Sequence, residues 1–255
     1  MEITSEMFDR SCAEINLDAL ENNIREIRRI TNPSAEVMAV VKADAYGHGV
    51  IAVAKALLKN GANRLCVATI DEAIEIREAN IDVKMLILGF TSVTRLSDVV
   101  KYDIDQAVYS YAAAKALSDE AVKQGKTANI HIKLDPGMGR LGFSCKEGEA
   151  PLSVEEIKKI SELPGICMYG VFSHFAVADE NDDDYTRAQF NYFMKQIDML
   201  KEVGVTFVKR HICNSAGIMR FPEMHLDMVR AGIILYGLMP PGCPEPEHKL
   251  DLIPV

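Results

Sequence analysis

The sequence contains no tryptophan, and aromatic residues make up only 7% of its 255 residues. A core with so few rings has to be filled mainly by aliphatic side chains. No hydrophobic run approaches the ~20 residues that a membrane-spanning helix needs, and the N-terminus lacks the basic and apolar regions of a secretory signal peptide. These absences predict a cytoplasmic protein with no membrane partner.

Metal-binding and disulfide patterns are also missing. The six cysteines are scattered along the chain without C-x-x-C spacing. A zinc site needs closely spaced thiol or imidazole ligands, and a disulfide framework is typical of short secreted chains. We therefore expect no metal site and free thiols at Cys12, Cys66, Cys145, Cys167, Cys213 and Cys243.

Positive charge is in deficit, since 28 basic residues stand against 37 acidic ones and the net charge is −9. An acidic surface attracts neither nucleic acid nor an anionic membrane, so we expect neither as a partner. Hydrophobic residues make up 48% of the chain and charged residues 25%, which is ordinary for a soluble globular protein. The length allows one large α/β domain or two small ones.

Short apolar runs alternate along the chain with amphipathic stretches of helical period. Eight such strand-like runs can be counted, each followed by a helix or a turn, which predicts a (β/α)8 barrel. A doubly wound open sheet is the alternative, but it usually has fewer strands and a glycine-rich first turn that is absent here. The predicted strands are 37–41, 65–69, 85–88, 106–109, 130–134, 168–173, 208–213 and either 228–230 or 233–236. The predicted helices are 17–31, 50–60, 71–79, 93–102, 111–124, 154–163, 184–203 and a short one after Ser215.

The two ends of the chain do not fit the barrel pattern. Residues 1–10 are predicted to be an N-terminal extension, and residues 12–17 resemble a strand that precedes the barrel. The barrel domain would then span 11–238 with this extra strand. Residues 239–255 are rich in proline and end in an apolar run, so we predict a linker toward a C-terminal domain that is absent from this chain.

Lys42 stands where the first buried strand ends and a segment of small and polar residues begins. Partial burial at such a position favours the unprotonated amine, which can act as a base or form a Schiff base. The structural alternative is a lysine at the end of a strand that simply extends its ammonium group into water.

The other predicted strands also carry polar groups at their carboxyl ends, where barrels of this kind place their active sites. Cations and free backbone N–H groups together would suit a phosphate and a carboxylate. The candidates are Lys133, Met138, Arg140, His174, His211, Asn214, Ser215, Arg230, Gly232 and Ile233.

Each of these groups has a purely structural alternative. Arg140 could be a surface arginine after a glycine turn, and His174 could be a core histidine. Asn214 and Ser215 could serve only as a helix cap. Lys133 could pair with Asp135, and Arg230 could pair with Asp227.

The amino-acid sequences of the motifs favour the functional interpretation over these structural alternatives. The segment A-V-V-K-A-D-A-Y-G-H-G around Lys42 closely resembles the segment of alanine racemases that carries the pyridoxal phosphate (PLP) lysine. Four later segments resemble the same family in the same order: K-L-D-P-G-M-G-R-L-G-F, S-H-F-A-V-A-D-E, H-I-C-N-S-A and M-V-R-A-G-I-I-L-Y-G. The resemblance runs from about residue 10 to residue 238. It implies the barrel domain of a fold-type III PLP enzyme that interconverts L- and D-alanine, with a serine-preferring relative as the alternative.

The resemblance also implies roles around the cofactor. Lys42 would be the Schiff-base lysine and the acid or base on one face of the substrate, and His174 would line the cofactor ring. Arg230, supported by His211, would face the pyridine nitrogen. A guanidinium only donates hydrogen bonds, so this nitrogen would stay unprotonated and the ring would be a weaker electron sink, which favours proton removal and return. The phosphate would be held by Tyr46, Ser215, Gly232 and Ile233, and Asn214 would also belong to the cofactor site.

On the substrate side, the resemblance implies that Arg140, next to Met138, holds the phenolic oxygen of PLP and the substrate carboxylate and assists catalysis. Lys133 matches a lysine that is often carbamylated in the family, which would fix Arg140. Residue 136 is proline where the family commonly has threonine, and residue 231 is alanine where proline is usual. Both are flanking positions, so we expect small changes in loop geometry without loss of chemistry.

The family is dimeric, and the resemblance implies that a tyrosine from the C-terminal region of the partner works on the opposite face of the substrate. This chain alone is therefore expected to be weakly active or inactive. A stand-alone PLP-binding or homeostasis protein of the same fold remains a second interpretation, and a barrel without cofactor a third.

Overall fold

The alternating apolar runs form a ring of parallel strands in the computed structural model, which describes residues 12–244 and 249–255. Eight strands follow one another in the order β8-β7-β5-β4-β3-β2-β1-β9, all parallel, and the short β6 pairs with β5 outside this path. The strands are β1 (Glu36–Val40), β2 (Arg64–Val67), β3 (Met85–Ile87), β4 (Asp105–Val108), β5 (Ala128–Asp135), β6 (Phe143–Ser144), β7 (Ile166–Phe172), β8 (Lys209–His211) and β9 (Met228–Ala231).

The ring is nearly closed, because its two end strands, β8 and β9, lie side by side. The N–H of Asp227 donates to the carbonyl of Arg210 (3.2 Å), and the N–H of Arg230 donates to the carbonyl of Cys213 (3.0 Å). An open sheet would leave these edges far apart. The predicted barrel is therefore confirmed, and its eighth main strand is Met228–Ala231, whereas residues 233–236 form a turn of 3-10 helix.

Helices follow most strands and cover the outside of the barrel. They are α1 (Leu17–Ile30), α2 (Lys42–Gly47), α3 (Val50–Lys59), α4 (Ile70–Glu78), α5 (Leu96–Lys101), α6 (Tyr111–Lys123), α7 (Ala150–Ser161), α8 (Asp183–Glu202) and α9 (Ser215–Arg220). Of these, α7 begins four residues before the predicted start at residue 154, since Pro151 occupies its first turn, where a missing N–H costs nothing. No helix in the described part of the chain combines the length and apolarity needed to cross a membrane.

The predicted N-terminal strand is wrong. Residues 12–16 have no regular secondary structure, and α1 begins at Leu17 with Asn16 as its cap. Both edges of β1 are already paired, with β2 and β9, so this segment finds no free edge there. The predicted extension 1–10 lies outside the described residues, as does residue 11.

The last residues run along α1. The Asn23 amide donates to the carbonyl of Ile253 (2.7 Å), and its oxygen accepts from the N–H of the same residue (2.8 Å). Residues 245–248 lie outside the description, and the assignment of 239–255 as a linker stays a prediction.

Two apolar clusters are separated by the sheet. The large one fills the space between strands and helices and includes Val37, Ala39 and Val41 of the first strand region. The small one lies within the barrel and contains Met38, Val40, Cys66, Leu86 and Met228. It covers only part of the interior, and the remaining inward positions carry buried polar side chains, among them Arg64, Gln106, His131 and Arg230.

Candidate active site

A cavity of about 500 Å³ opens at the carboxyl ends of the strands. Ten of the residues predicted from the sequence line it: Lys42, Tyr46, Lys133, Arg140, His174, Asn214, Ser215, Arg230, Gly232 and Ile233. Met138 is not among the lining residues, and His211 lies behind the wall in the barrel interior. Barrel closure thus brings together side chains that are almost 200 residues apart in sequence.

Lys42 enters the cavity from an unusual turn. All four residues Ala43–Tyr46 have φ between 50° and 56°, so α2 is a turn of left-handed helix. This conformation costs about 1–2 kcal/mol for each residue other than glycine. Two contacts hold it: the N–H of Ala43 donates to Glu72 (2.8 Å), and Asp44 accepts from the N–H of Val50 (2.6 Å). The turn places the Lys42 Nζ 5.9 Å from the centre of the Tyr46 ring, on the same wall of the cavity.

Two hydroxyl groups and a glycine form a small cradle beside this turn. The Ser215 Oγ accepts a hydrogen bond from the N–H of Gly232 (3.1 Å). A Cβ added to Gly232 would lie 3.4 Å from the Tyr46 hydroxyl and 3.6 Å from the Ser215 Oγ, so the missing side chain leaves this space open. Asn214 caps α9 by accepting from the N–H of Gly217 (2.9 Å), which is compatible with a role in the site. Hydroxyl and N–H donors around an open space fit a phosphate group.

Arg230 is the buried cation at the floor of the cavity. Its Nη1 donates to the Nδ1 of His211 (2.7 Å), and its Nη2 donates to the carbonyls of Ser173 (2.6 Å) and Ile212 (3.0 Å). The same Nη2 lies 3.3 Å from the Nδ1 of His174. Burial lowers the pKa of Arg230 to about 10, so the group stays protonated at neutral pH.

The alternative pairing of Arg230 with Asp227 does not occur. The Asp227 carboxylate binds Arg210 instead, with 2.7 Å between its Oδ2 and the Arg210 Nε. Burial, reinforced by the charge of Arg230, holds the pKa values of His174 and His211 well below the ordinary range. Both imidazoles are therefore neutral, and their Nδ1 atoms can accept from the guanidinium.

Lys133 is buried with 6% of its surface exposed. Burial and the nearby charge of Arg230 lower its pKa from 10.5 to about 7. Its Nζ donates to the carbonyl of Leu134 (3.1 Å) and lies 3.4 Å from the Ser173 Oγ. The alternative salt bridge to Asp135 is wrong, because that carboxylate accepts from backbone N–H groups in the following loop (3.0–3.1 Å). Lys133 therefore provides a neutral amine to the cavity in about half of the molecules at a pH near 7.

Arg140 is exposed, as the surface-arginine alternative requires, yet it also lines the cavity. Among the described residues, none forms a hydrogen bond or ion pair with its guanidinium. An unpaired guanidinium at the mouth of a cavity is suited to an anionic ligand.

Sequence reasoning missed Phe172 and Tyr236. The Phe172 ring stacks on His211 with centres 5.0 Å apart, and Lys133 and Arg230 lie over the same ring at 5.2 and 5.5 Å. The Tyr236 hydroxyl donates to the carbonyl of Val40 (2.9 Å), and its ring lies 4.9 Å from that of Tyr46. Phe172 precedes the motif that contains His174, and Tyr236 lies within the last motif, so their positions next to assigned residues were the available signal.

The described residues were also expected to lack a metal site and disulfide bonds. No group of three or more His, Cys, Asp or Glu side chains that could hold a metal ion is present within 12–244 and 249–255. All six cysteine thiols are free.

Comparison with known proteins identifies the family. The family model described as "Alanine racemase, N-terminal domain" matches residues 15–240. The chain belongs to the alanine racemase family. An alanine racemase of Clostridium tetani is 49% identical over 243 residues, which are 95% of this chain and 61% of that protein.

Solved alanine racemases have the same barrel. The structure of alanine racemase from Clostridium difficile 630 in complex with cycloserine has a TM-score of 0.89 and 40% identity, and the match covers 94% of this chain and 65% of that one. Alanine racemase from Bacillus anthracis with bound L-Ala-P has a TM-score of 0.83 and 36% identity, over 94% of this chain and 61% of that one. The chain spans 58–63% of the length of the curated relatives that it matches.

Proposed function

We propose that this chain is the cofactor-binding barrel of an alanine racemase, which binds PLP covalently through Lys42 and interconverts L- and D-alanine. The observation that carries the proposal is one cavity with an amine at one wall, a guanidinium that is protonated at neutral pH at its floor, and a cradle for phosphate between two hydroxyl groups. The absence of a side chain at Gly232 supports the fit, since a side chain there would fill the cradle.

The chain's own residues would divide the work as follows. The hydroxyls of Tyr46 and Ser215, with the N–H groups of Gly232 and Ile233 and the neighbouring Asn214, would bind the phosphate. His174 would line the ring. PLP, when bound, supplies an electron-withdrawing ring that makes the α-proton of the amino acid more acidic.

Lys42 would take the α-proton from one face of the substrate and return it, which requires a neutral amine. Arg230 would face the ring nitrogen as a donor, and its buried contacts to His211 and Ser173 keep the guanidinium in one orientation. Because Arg230 cannot accept a proton, it would keep the ring nitrogen unprotonated and favour the return of the α-proton over side reactions.

Arg140, adjacent to Met138, would bind the substrate carboxylate at the mouth of the cavity. A carbamate on Lys133 would give Arg140 the anionic partner that it lacks among the described residues. The names of the relatives favour alanine over serine as the substrate. The D-alanine product would serve as a peptidoglycan precursor, and we propose a cytoplasmic homodimer in which the partner supplies the acid or base on the opposite face.

Borohydride reduction tests the proposal directly. The wild-type chain, incubated with PLP and reduced, should gain the mass of reduced PLP on the peptide that contains Lys42. Lys42→Ala should lose this adduct, whereas Lys55→Ala, at an exposed position of α3, should retain it. An undiminished adduct in Lys42→Ala would show that another lysine holds the cofactor.

A stand-alone PLP-binding protein of the same fold is the second candidate, because every cofactor contact proposed above lies within this chain. Exchange of the alanine α-proton separates the two functions. It should be feeble for the 255-residue chain and rise when the C-terminal region of a relative is supplied. PLP binding with no gain in exchange would favour the stand-alone protein.

A further inference from the structure

A line of buried polar groups leads away from Arg230 into the barrel. The Arg230 Nη1 lies 2.7 Å from the Nδ1 of His211, and the His211 Nε2 lies 2.9 Å from the Nδ1 of His131. The Nε2 of His131 then lies 3.4 Å from the Oδ2 of Asp105. All four side chains are buried, with at most 4% of any residue exposed. We call this series the Arg230–Asp105 column.

The chemistry of its first member determines the direction of every hydrogen bond. A guanidinium only donates, so the Nδ1 of His211 must be an acceptor and its proton must be on Nε2. This Nε2–H can then donate only if the Nδ1 of His131 is an acceptor, which places the proton of His131 on Nε2. That proton points toward the carboxylate of Asp105. The column therefore permits one tautomer of each imidazole.

The strand next to His131 is shaped to admit its ring. A Cβ built on Gly170 of β7 would lie 2.2 Å from the Nδ1 of His131, closer than any side chain could approach. The register between β5 and β7 also shifts between Ile130 and His131. A missing side chain and a local irregularity thus leave space for the imidazole beside the backbone.

Asp105 is held at the far end of the column. Its Oδ1 accepts from the side-chain amide of Asn129 (3.0 Å), and its Oδ2 lies 3.8 Å from the Nη1 of Arg64. Arg64 is itself bound to Glu36, with 2.6 Å between the Nε and the Oε2. The His131 Nε2 and the Arg64 Nη1 are buried and have no aligned hydrogen bond in the described residues, and both face this one oxygen. The Asp105 carboxylate therefore offsets part of the cost of burying the His131 Nε2 and the Arg64 Nη1 without hydrogen bonds of their own.

We propose that His131 and Asp105 are positioning residues of the active site, which hold His211 in the one tautomer that can accept a hydrogen bond from Arg230. The role deepens the function proposed above and rests on it, because Arg230 matters here as the group that faces the cofactor ring. Neither residue touches the cavity, so their effect would reach the reaction through His211 and the orientation of the guanidinium.

The column can be tested without cofactor by long-range proton–nitrogen NMR of the imidazoles, assigned by replacing each of the six histidines in turn. Nitrogen shifts distinguish the two neutral tautomers and the imidazolium. The wild-type chain should show His211 and His131 as neutral imidazoles with the proton on Nε2 throughout the neutral pH range. A proton on Nδ1 of either ring, or a charged imidazole, would overturn the proposal.

Substitutions at His131 then test the link to the site. His131→Leu removes the acceptor for the His211 Nε2–H and leaves this N–H unpaired in a buried position. The nitrogen signal of the His211 Nε2 should therefore shift, and PLP should bind about fivefold more weakly, the effect of about one hydrogen bond. His131→Asn places an amide oxygen near the position of the His131 Nδ1, where it can accept the His211 Nε2–H. This variant should therefore keep the His211 signal and the PLP affinity of the wild type. His225→Leu, which removes a buried histidine outside the column, should leave the tautomer of His211 unchanged.

The outcomes separate this proposal from the function on which it rests. An unchanged His211 signal in His131→Leu overturns the column, whether or not PLP binds. Failure of Lys42 to form the PLP adduct in the wild-type chain overturns the proposed function. The tautomers of His211 and His131, which are measured without cofactor, still test the column in that case. If His131→Leu does not fold, the wild-type tautomers and His131→Asn still decide.

Discussion

The ammonium group of Lys133 and the guanidinium of Arg230 lie over one phenyl ring, that of Phe172, at 5.2 and 5.5 Å from its centre. Burial disfavours both charges, the two cations repel each other, and the amine with the lower intrinsic pKa loses its proton more easily. This explains why the pKa of Lys133 falls to about 7 through burial and the charge of Arg230, whereas Arg230, at about 10, keeps its proton.

The first prediction is that Lys133 reacts with carbon dioxide. Its neutral amine would form an N–C bond to CO₂ and release a proton, which yields a carbamate anion beside Arg140 and Arg230. Carbon-13 NMR in labelled bicarbonate should show a carbamate signal that is absent in Lys133→Met. The exposed Lys159→Met variant should retain the signal, and its absence from the wild-type chain in excess bicarbonate would contradict the prediction.

The second prediction concerns the pH dependence of stability in buffers free of CO₂. The pKa of Lys133 is 10.5 unfolded and about 7 folded, so between these values the unfolded state binds more protons and stability rises with pH. Lys133→Met should lower the slope of unfolding free energy against pH between about pH 7.5 and about pH 9.5, by up to about 1.4 kcal/mol per pH unit. Urea unfolding at several pH values measures this. Lys159→Met should keep the wild-type slope, and equal slopes in all three proteins would refute the assignment.

The third prediction tests the phosphate cradle. In Gly232→Ala the added methyl group would occupy the space between the hydroxyls of Tyr46 and Ser215, at 3.4 and 3.6 Å from their oxygens. PLP affinity should fall at least about tenfold. The cofactor-free chain should lose about 1–3 kcal/mol of stability but stay folded, because the ψ of −107° at Gly232 lies outside the regions that alanine favours. Fluorescence titration with PLP gives the affinity. Gly148→Ala is the matched control, since a Cβ there meets nothing within 4 Å. If Gly232→Ala bound PLP with wild-type affinity, the phosphate would have to bind elsewhere.

The fourth prediction tests the left-handed turn after Lys42. The Glu72 carboxylate accepts from the N–H groups of Ala43 (2.8 Å) and Ala68 (2.7 Å) and completes the capping box of α4 with Thr69. Glu72→Ala should therefore lower the free energy of unfolding by about 1–2 kcal/mol. It should also weaken PLP binding, because the turn that positions Lys42 loses a contact. Glu75→Ala, a substitution at an exposed position of the same helix, is the control. If the two variants changed PLP affinity equally, Glu72 would have no specific role in positioning the turn.

Several features could be anticipated from the sequence and others could not. The alternation of apolar runs and amphipathic stretches was sufficient for the barrel, and the motifs were sufficient to select the residues at its rim. The left-handed turn could not be predicted, because Ala43 and Ala45 have no local preference for positive φ and a single aspartate between them, Asp44, does not predict a whole turn. The turn forms where Glu72 and neighbouring backbone hold it. The predicted N-terminal strand was wrong because the apolar character of a segment does not reveal whether a free sheet edge is within reach.

By itself, the sequence determined the order of strands and helices, the residues that stand at the carboxyl end of each strand, and the family to which they belong. These properties depend on neighbours a few positions away. Only the tertiary structure decided that Arg230 binds His211 and Ser173 rather than Asp227, since these partners lie 19 and 57 positions away in the chain. Such contacts follow from the register in which the strands close the barrel, and that register is a property of the whole ring of strands.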